Sequence, residues 1–593
     1  MSVPRSEYPR PQMVRKDWLC LNGPWQFEID SGDSGLERGL LDRPLTGTIT
    51  VPFCPESTLS GVGCTDFMNA VWYRREVTIP PAWSGRDVLL HFQAMDYDAT
   101  VWVNGREVGH HRGGFTPFTC PLAGVVEPGQ TATIVVRARD DHRQVAPRGK
   151  QAEQYANYGC LYTRTTGIWQ TVWLEPVPQT HMKRPKITPD VSNGAILLDV
   201  PVAGPREGVS LRARLTDSAG EVCSAQTPAT QDFTPHLELR VPEPKRHLWS
   251  PEDPHLYGLT LELVKPGGET IDRIESYAGL RSVAIDGQAI RINGKSVFQR
   301  LVLDQGFYPD GILTAPTDEA LVRDIEISMA AGFNGARLHQ KVFEERFLFH
   351  ADRLGYLCWG EFPDWALIRE GPRRHHPDAS ATYITQWLEA LERDYSHPCI
   401  VGWCGLNETR RPLTDRIDPL DDVMRGMFLA AKAMDPTRPV LDVSGYSHHL
   451  GESDVCDCHN YEQDVAKFQA EMGQIATGQP WTNYVKGERE SVPYRGQPFF
   501  NSEFGGTWWN ADAKPGMESW GYGDCPKTVE EFCERFEALC RVQLENPHLF
   551  GYCYTQLTDV FQEQNGIFTF DRRPKFDLTR IAAAQRKKAA IEG

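Results

Sequence analysis

The sequence predicts a three-part chain: a β jelly-roll sandwich, an immunoglobulin-like β-sandwich and a (β/α)8 TIM barrel. Three observations predict it. Up to about residue 281 the chain carries short alternating strands punctuated by Gly and Pro. From about residue 285 the rhythm changes to strand, helix, strand, helix. The length of 593 residues suits three or four units at roughly 150 residues each, of which a barrel takes about 250.

Residues 1–178 are assigned to the jelly roll. Asp98 to Val103 alternates Ala99, Val101 and Val103 against Thr100 and Trp102. Asn104-Gly105 follows, and two such residues between strands need φ > 0, the mark of a two-residue hairpin. Further strands are expected at Trp72–Ile79, Val88–Gln93, Thr131–Ala138 and Trp169–Glu175.

Residues 179–281 have the size and rhythm of an immunoglobulin-like sandwich. Strand-like runs are Ile196–Val200, Ser210–Leu215, His236–Val241 and Tyr257–Val264. The prolines of Pro242-Glu243-Pro244 and of Ser250-Pro251-Glu252-Asp253-Pro254 exclude a helix there.

Residues 282–593 are assigned to the barrel. Eight strands are expected at 297–303, 334–338, 356–361, 400–406, 439–443, 455–459, 498–502 and 549–556. One helix starts at Thr317-Asp318-Glu319 with Leu321, Ile325 and Met329 on one stripe. Another carries Phe343, Phe347, Ala351 and Leu354 at helical spacing.

Composition narrows the partners. A formal charge of -17 argues against nucleic acid, whose phosphates need clustered Lys and Arg. The 16 Trp and 19 Tyr offer flat apolar faces with polar edges, which suit sugar rings as well as cores. The 15 Cys show no double CxxC zinc spacing, so they read as mostly free buried thiols of a reducing compartment. Met1 to Leu21 has no apolar run, and no stretch of about 18 apolar residues follows. The expectation is a cytoplasmic protein without a membrane span, a metal or a cofactor.

Catalytic groups of such barrels sit at the C-terminal ends of strands. The fourth expected strand ends in Asn407-Glu408 and the seventh in Glu503, which places the two glutamates across the barrel mouth. Two facing carboxylates are what glycosidic cleavage requires: one protonates the leaving oxygen and one attacks the anomeric carbon. A separation of about 5–5.5 Å predicts retention and about 6.5–9.5 Å inversion.

The run Asp394-Tyr395-Ser396-His397-Pro398 through Gly402-Trp403-Cys404-Gly405-Leu406-Asn407-Glu408 resembles the acid/base signature of glycoside hydrolase family 2. Phe499-Phe500-Asn501-Ser502-Glu503-Phe504-Gly505-Gly506 is similar to the family's nucleophile strand. Asn334-Gly335-Ala336-Arg337-Leu338-His339 resembles its Asn-x-x-Arg-x-x-His region, with one residue fewer before His. Trp359-Gly360-Glu361 sits where the family ends its third strand, and Asn22–Phe27, Trp72–Arg75, Val103–Gly105 and Gly167–Trp169 resemble its jelly roll.

The resemblance implies that Glu408 is the acid/base and Glu503 the nucleophile. It implies that Asn407 bonds the sugar 2-OH and that Arg337 lies under Glu503 and keeps it ionised. Tyr461 is placed to bond the nucleophile, and His339 either touches substrate or caps the second strand. Of Trp508 and Trp509, one stacks on the sugar and the other packs inward. Glu361 joins the substrate-binding group. Jelly-roll loops close one side of the pocket in this family. Here His110, His111, Arg112 and Phe115, or Arg148 to Tyr155, are the candidates, each weighed against a solvated loop.

Departures from the family pattern bear on the sugar. Phe362-Pro363-Asp364-Trp365 replaces the Glu-x-His run that helps bind magnesium in bacterial β-galactosidases of the family. Leu303-Asp304-Gln305 replaces Arg-His-Glu, leaving Asp304 to bind a substrate hydroxyl. Where glucuronidases present an Asn-x-Lys pair to the substrate carboxylate, this chain reads Gln562-Glu563-Gln564-Asn565-Gly566-Ile567, with no Lys and with Glu563 placed to repel a uronate, and Gln556 is a neutral hydroxyl partner. The sequence reading therefore ranks a terminal β-galactoside first, with a furanoside (α-L-arabinofuranoside or β-D-galactofuranoside) open and β-glucuronide behind. The rival class is a non-catalytic carbohydrate-binding protein, against which both glutamates weigh. Transglycosylation shares the covalent intermediate, and the resemblance admits a homo-oligomer.

Overall fold

The computed structural model describes residues 3–365, 379–417, 419–483, 489–510 and 518–593. Its first unit is a sandwich. A six-stranded sheet runs in the order Gly47–Val51, Gly23–Ile29, Ala70–Thr78, Thr131–Arg139, Asp98–Val103, Arg106–Arg112. It faces a four-stranded sheet of Leu19–Cys20, Val172–Val177, Asp87–Phe92 and Phe118–Pro121. Trp25, Phe27, Tyr73, Leu90 and Val101 fill the space between them. The hairpin at Asn104-Gly105 is as expected, with φ of 53° and 76°.

The second unit packs Lys186–Asp190, Ala195–Asp199 and His236–Arg240 against a sheet of Gly220–Pro228, Ser210–Asp217, Tyr257–Val264 and Thr270–Ala278. Gly220–Pro228 and Thr270–Ala278 were not expected as strands. Both lie at sheet edges, and each has charged or polar side chains facing solvent, which weakens the apolar signal. A small ribbon, Val283–Asp286, Ala289–Ile292 and Lys295–Ser296, precedes the barrel. It takes the first residues of the stretch assigned to the barrel, and Ile290 and Ile292 pack into the barrel's core.

The barrel strands are β1 (Gln299–Asp304), β2 (Gly335–Leu338), β3 (Leu357–Glu361), β4 (Ile400–Cys404), β5 (Val440–Leu441), β6 (Cys456–Asn460), β7 (Phe499–Gly505) and β8 (Leu549–Thr555). All eight expected strands are present, paired in the order β5-β4-β3-β2-β1-β8-β7-β6. The sheet is nearly closed. Between β5 and β6 the seam is held by Gly445 N to Asp457 Oδ1 at 2.9 Å and Ser444 Oγ to Asp457 Oδ2 at 2.9 Å.

Helices α1 (Asp318–Ala330), α2 (Glu345–Leu354), α3 (Ala379–Asp394), α4 (Pro419–Met434), α5 (Val465–Met472), α6 (Val529–Leu544) and α7 (Leu578–Gln585) form the outer layer. Thr317 caps α1 by accepting from Ala320 N, as its sequence signal predicts. Phe343, expected on α2, lies just before it. The connection from β5 to β6 has no helix, because Ser444-Gly445-Tyr446-Ser447-His448-His449 supplies no apolar stripe.

One carboxylate ties the three units together. Glu345, at the start of α2, accepts from Gln93 of the first sandwich at 2.9 Å and from Arg184, which follows it, at 2.8 Å. Among the described residues no helix is long and apolar enough to cross a membrane. All fifteen cysteines are unpaired.

Candidate active site

The barrel mouth gathers side chains from the ends of β2, β3, β4, β6, β7 and β8. On β7 the ladder to β8 is irregular: Asn501 opposes Tyr552, and the next aligned pair is Phe504 with Tyr554. Ser502 and Glu503 sit in that bulge, which breaks the strict alternation of faces. Ser502 Oγ bonds Asp457, while Glu503 meets the pocket groups. Glu408 follows β4 on a left-handed backbone with φ of 49°, held by its N–H to Ser444 O at 2.8 Å. A non-glycine residue in that region carries about 1–3 kcal/mol of strain that its surroundings must offset.

The two carboxylates are close. One oxygen of Glu408, one of Glu503 and a ring nitrogen of His459 lie within 4.8 Å of one another. His459 Nδ1 is 2.7 Å from Glu408 Oε1 and 3.3 Å from Glu503 Oε2. Burial pulls the imidazole pKa down, but the Glu503 and Glu408 charges outweigh it and the net direction is up. The ring's other nitrogen lies 2.9 Å from Ser444 Oγ, and that hydroxyl donates to Asp457.

Arg337, on β2, is the hub beneath. Its Nη1 donates to Glu503 Oε1 at 2.8 Å, its Nη2 to Asn407 Oδ1, and its Nε faces Glu361 Oε2 at 2.7 Å. Tyr461 OH donates to the other Glu503 oxygen. Burial alone would raise the Glu503 pKa; His459 and Arg337 bring it down to about 2. Glu503 is therefore an ionised carboxylate, as a nucleophile must be. Asn407 Nδ2 is buried and makes no hydrogen bond among the described residues, so it is available to a ligand hydroxyl.

Several sequence expectations change here. Glu361 is enclosed: it accepts from Gln340 N at 3.1 Å and lies 3.0 Å from His339 Nδ1, so it holds Arg337 and His339 rather than reaching the open pocket. His339 is buried, and burial followed by the Lys150 charge keeps it neutral. Asp304 bonds Gly306 N at 2.9 Å, and its charged neighbours are Asp324 of α1, Arg572 and Lys341. It faces the helical layer, not the pocket; burial and Asp324 push its pKa up to about 7. Its successor Gln305 takes the inward place.

Gln556 is committed on both sides. It accepts from Gln305 at 2.6 Å and donates to Asn565 at 2.8 Å. Asn565 donates to Glu563 at 3.1 Å, Tyr162 donates to the other Glu563 oxygen, and Gln305 donates to Tyr162 at 3.1 Å. These five side chains form a closed ring of hydrogen bonds. Trp509 packs inward near Phe532 and Phe576, and half-buried Trp508 donates to Ser519 at 2.8 Å.

Of the two jelly-roll loops, Arg148 to Tyr155 reaches the loops that follow β2 and β3 at the barrel mouth. Gly149 N donates to Pro363 O at 3.1 Å, and a Cβ on Gly149 would fall 2.1 Å from Gln340 O, so only glycine permits the approach. His111 instead docks on α3 at Glu389 (3.1 Å), Phe115 packs on Trp169, and His110 and Arg112 face solvent. His459, Tyr162, Gln305 and Asp364 are not among the expected site residues, and Lys150 is included only within its loop. His459 ends an expected strand, so the rule that found the glutamates also points to it. Asp364 accepts from Asn407 N at 3.1 Å and Gln340 at 2.6 Å, and burial pushes its pKa up to about 8.

Among the described residues two groups have metal-ligand spacing. One is Glu408, His459 and Glu503; the other is Asp352, His397 and Cys399. In the second, Asp352 already accepts from His397, Tyr277 and Cys399 N at 2.6, 2.7 and 2.8 Å, a self-satisfied buried network.

Comparison with known proteins agrees with this architecture. Residues 59–143 match the "Glycosyl hydrolases family 2, sugar binding domain", 180–281 match "Glycosyl hydrolases family 2", and 283–589 match the "Glycosyl hydrolases family 2, TIM barrel domain". The chain is 27% identical to the β-glucuronidase of Felis catus, over 96% of this chain and 90% of the relative. It is 26% identical to that of Paenibacillus borealis over 74% of each. A β-galactosidase of Thermoanaerobacter pseudethanolicus is 25% identical over 63% of this chain and 48% of the relative. The crystal structure of Ruminococcus gnavus β-glucuronidase superposes with a TM-score of 0.79 over 99% of both chains at 20% identity, a likeness of fold.

Proposed function

The chain belongs to glycosyl hydrolase family 2, and on that premise we propose that it is a retaining exo-β-glycosidase acting on a terminal β-glucuronoside. The observation that carries the mechanism is the pair Glu408 and Glu503, with oxygens within 4.8 Å at the ends of β4 and β7. Oxygens that close support double displacement, with about 5–5.5 Å between carboxyl groups, over the about 6.5–9.5 Å of inversion.

In the first step Glu503 attacks the anomeric carbon as the bond to the leaving oxygen breaks, and Glu408 gives that oxygen its proton. In the second, Glu408 takes a proton from water, the water oxygen bonds to the anomeric carbon, and Glu503 leaves. Arg337 and Tyr461 stabilise the Glu503 carboxylate before the first step and again as it leaves in the second. Asn407 Nδ2 is the group free to bond the 2-OH, a contact that strengthens in the transition state. A sugar acceptor in place of water would give transglycosylation.

The β-glucuronidases among the relatives support the sugar, which moves it from the β-galactoside ranked first on sequence. One observation favours the β-galactoside reading: Glu563 and Asn565 stand where the Asn-x-Lys pair of glucuronidases is expected. Hydrolysis of nitrophenyl β-glucuronide, β-galactoside, β-mannoside, β-glucoside, α-L-arabinofuranoside and β-D-galactofuranoside decides between them, with Glu503→Gln alongside. Preference for the glucuronide sustains the proposal. Preference for a neutral sugar overturns the sugar but keeps the mechanism. No hydrolysis of any glycoside would leave a carbohydrate-binding protein.

A further inference from the structure

Lys150 is one of two buried lysines among the described residues, and the two are treated differently. Lys341 donates to Gly306 O at 2.7 Å and Leu313 O at 2.8 Å. Lys150 makes no such bonds. No carboxylate oxygen among the described residues lies within 4.0 Å of its Nζ, which stands 5.1 Å over the Trp365 ring with only 6% of the residue exposed. A buried cation without a partner is costly, and an ammonium carries three donors.

The surroundings locate this cation. Beyond ion-pair distance it senses Glu563, Glu503 and Glu408, which keep it charged against burial. Its charge also acts on His339 at the floor of the mouth. Trp365 beneath it donates to Asn407 O at 3.2 Å, so the ammonium is fixed relative to the Asn407-Glu408 segment. The acidic group that acts on it most, Glu563, has both oxygens engaged by Tyr162 and Asn565. The ammonium is left to meet an anion that enters the mouth with the sugar.

We propose that Lys150, delivered across the domain boundary by the jelly-roll loop, is the cation that selects a carboxylate on the terminal sugar. It takes the task that the sequence after β8, with Glu563-Gln564-Asn565, does not perform. A uronate carboxylate pairs with the ammonium without breaking any existing bond. A neutral hydroxymethyl group in its place leaves the charge unpaired. The inference rests on the glucuronosidase reading and assigns its determinant.

The test compares kcat/KM for nitrophenyl β-glucuronide and nitrophenyl β-glucoside, which differ only in carboxylate against hydroxymethyl. It is run on the full chain as wild type, Lys150→Met and Lys150→Arg, with melting curves to verify folding. Wild type prefers the glucuronide. In Lys150→Met the glucuronide-to-glucoside ratio falls by about 100-fold, the size expected for losing one partner of a buried charge pair. Lys150→Arg keeps more of the ratio than Lys150→Met. A wild-type preference for glucuronide that survives in Lys150→Met overturns the assignment to Lys150 and leaves the reading standing. A wild-type preference for the glucoside overturns the reading, and the assignment with it.

Discussion

His459 Nδ1 lies 2.7 Å from Glu408 Oε1, so the carboxylate proposed as acid/base, which follows the fourth strand, is bonded to a ring from the sixth. The same nitrogen is 3.3 Å from Glu503 Oε2, and one proton-bearing atom stands between the two carboxylates whose charges must alternate during catalysis.

His459→Gln should therefore change the pH profile more than the fold. The depressed Glu503 pKa of about 2 depends on the His459 and Arg337 charges acting against burial. Removing one of them raises it by about one unit or more. Because activity is lost as pH falls through the Glu503 pKa, the acid limb of kcat/KM moves to higher pH. An acid limb that stays where wild type has it would show that His459 only positions Glu408.

The two glutamates should separate by leaving group. Glu503→Gln lowers kcat by about 10,000-fold or more on every substrate, since the covalent intermediate cannot form. Glu408→Ala should keep the first step on a nitrophenyl glycoside, whose leaving group needs no proton, and stall at the second. Added azide then restores turnover and yields a β-glycosyl azide. An α-glycosyl azide from this variant would contradict a double displacement.

Arg337→Met should impair stability and rate together. It strips Glu503, Glu361 and Asn407 of a shared donor and leaves Glu361 buried without its cation. Breaking a buried pair from one side costs about 3–5 kcal/mol, readable as a lower urea midpoint. A variant with wild-type stability would mean that Glu361 is already neutral, in line with its raised pKa.

Acid should loosen the joint between domains. Glu345 is fully buried; burial would raise its pKa, but Arg184 and Arg393 hold it at about 2. A depressed folded-state pKa gives stability that is present above about pH 4.5 and is lost as pH falls from there toward 2, here about 3 kcal/mol. Urea unfolding at pH 7 and pH 3 measures it. Arg184→Met should flatten that pH dependence, and an unchanged slope would place the acid-sensitive group elsewhere.

Much of this site is legible in the sequence because strand ends of a barrel face one pocket. Asn407, Glu408 and Glu503 follow from that rule, and Arg337 and Tyr461 from their motifs. The hairpin at Asn104-Gly105 and the cap at Thr317 follow from local chemistry alone. What fails is the choice of face. Asp304 and Gln305 are neighbours at the end of β1, and one step along a strand reverses the side chain. Asp304 turns to Asp324 and Arg572, and Gln305 turns to Tyr162 and Gln556. The bulge that turns Glu503 is likewise a property of the ladder with β8, which no spacing within β7 records. For Lys150 the sequence offers only its loop, Arg148 to Tyr155, as one of two candidates to close the pocket; which residue faces inward depends on the approach of Gly149 to Gln340.

That contact at Gly149 has an evolutionary side. Recombination at domain boundaries exchanges sandwiches and barrels as blocks, and here the boundary runs through the pocket. A barrel inherited with a foreign sandwich would keep both glutamates and lose the loop that overlies Pro363 and Trp365. If Lys150 selects the sugar as proposed, such a hybrid would keep both glutamates while changing the sugars it accepts. On that proposal, substrate range can diversify without a single replacement in the barrel strands.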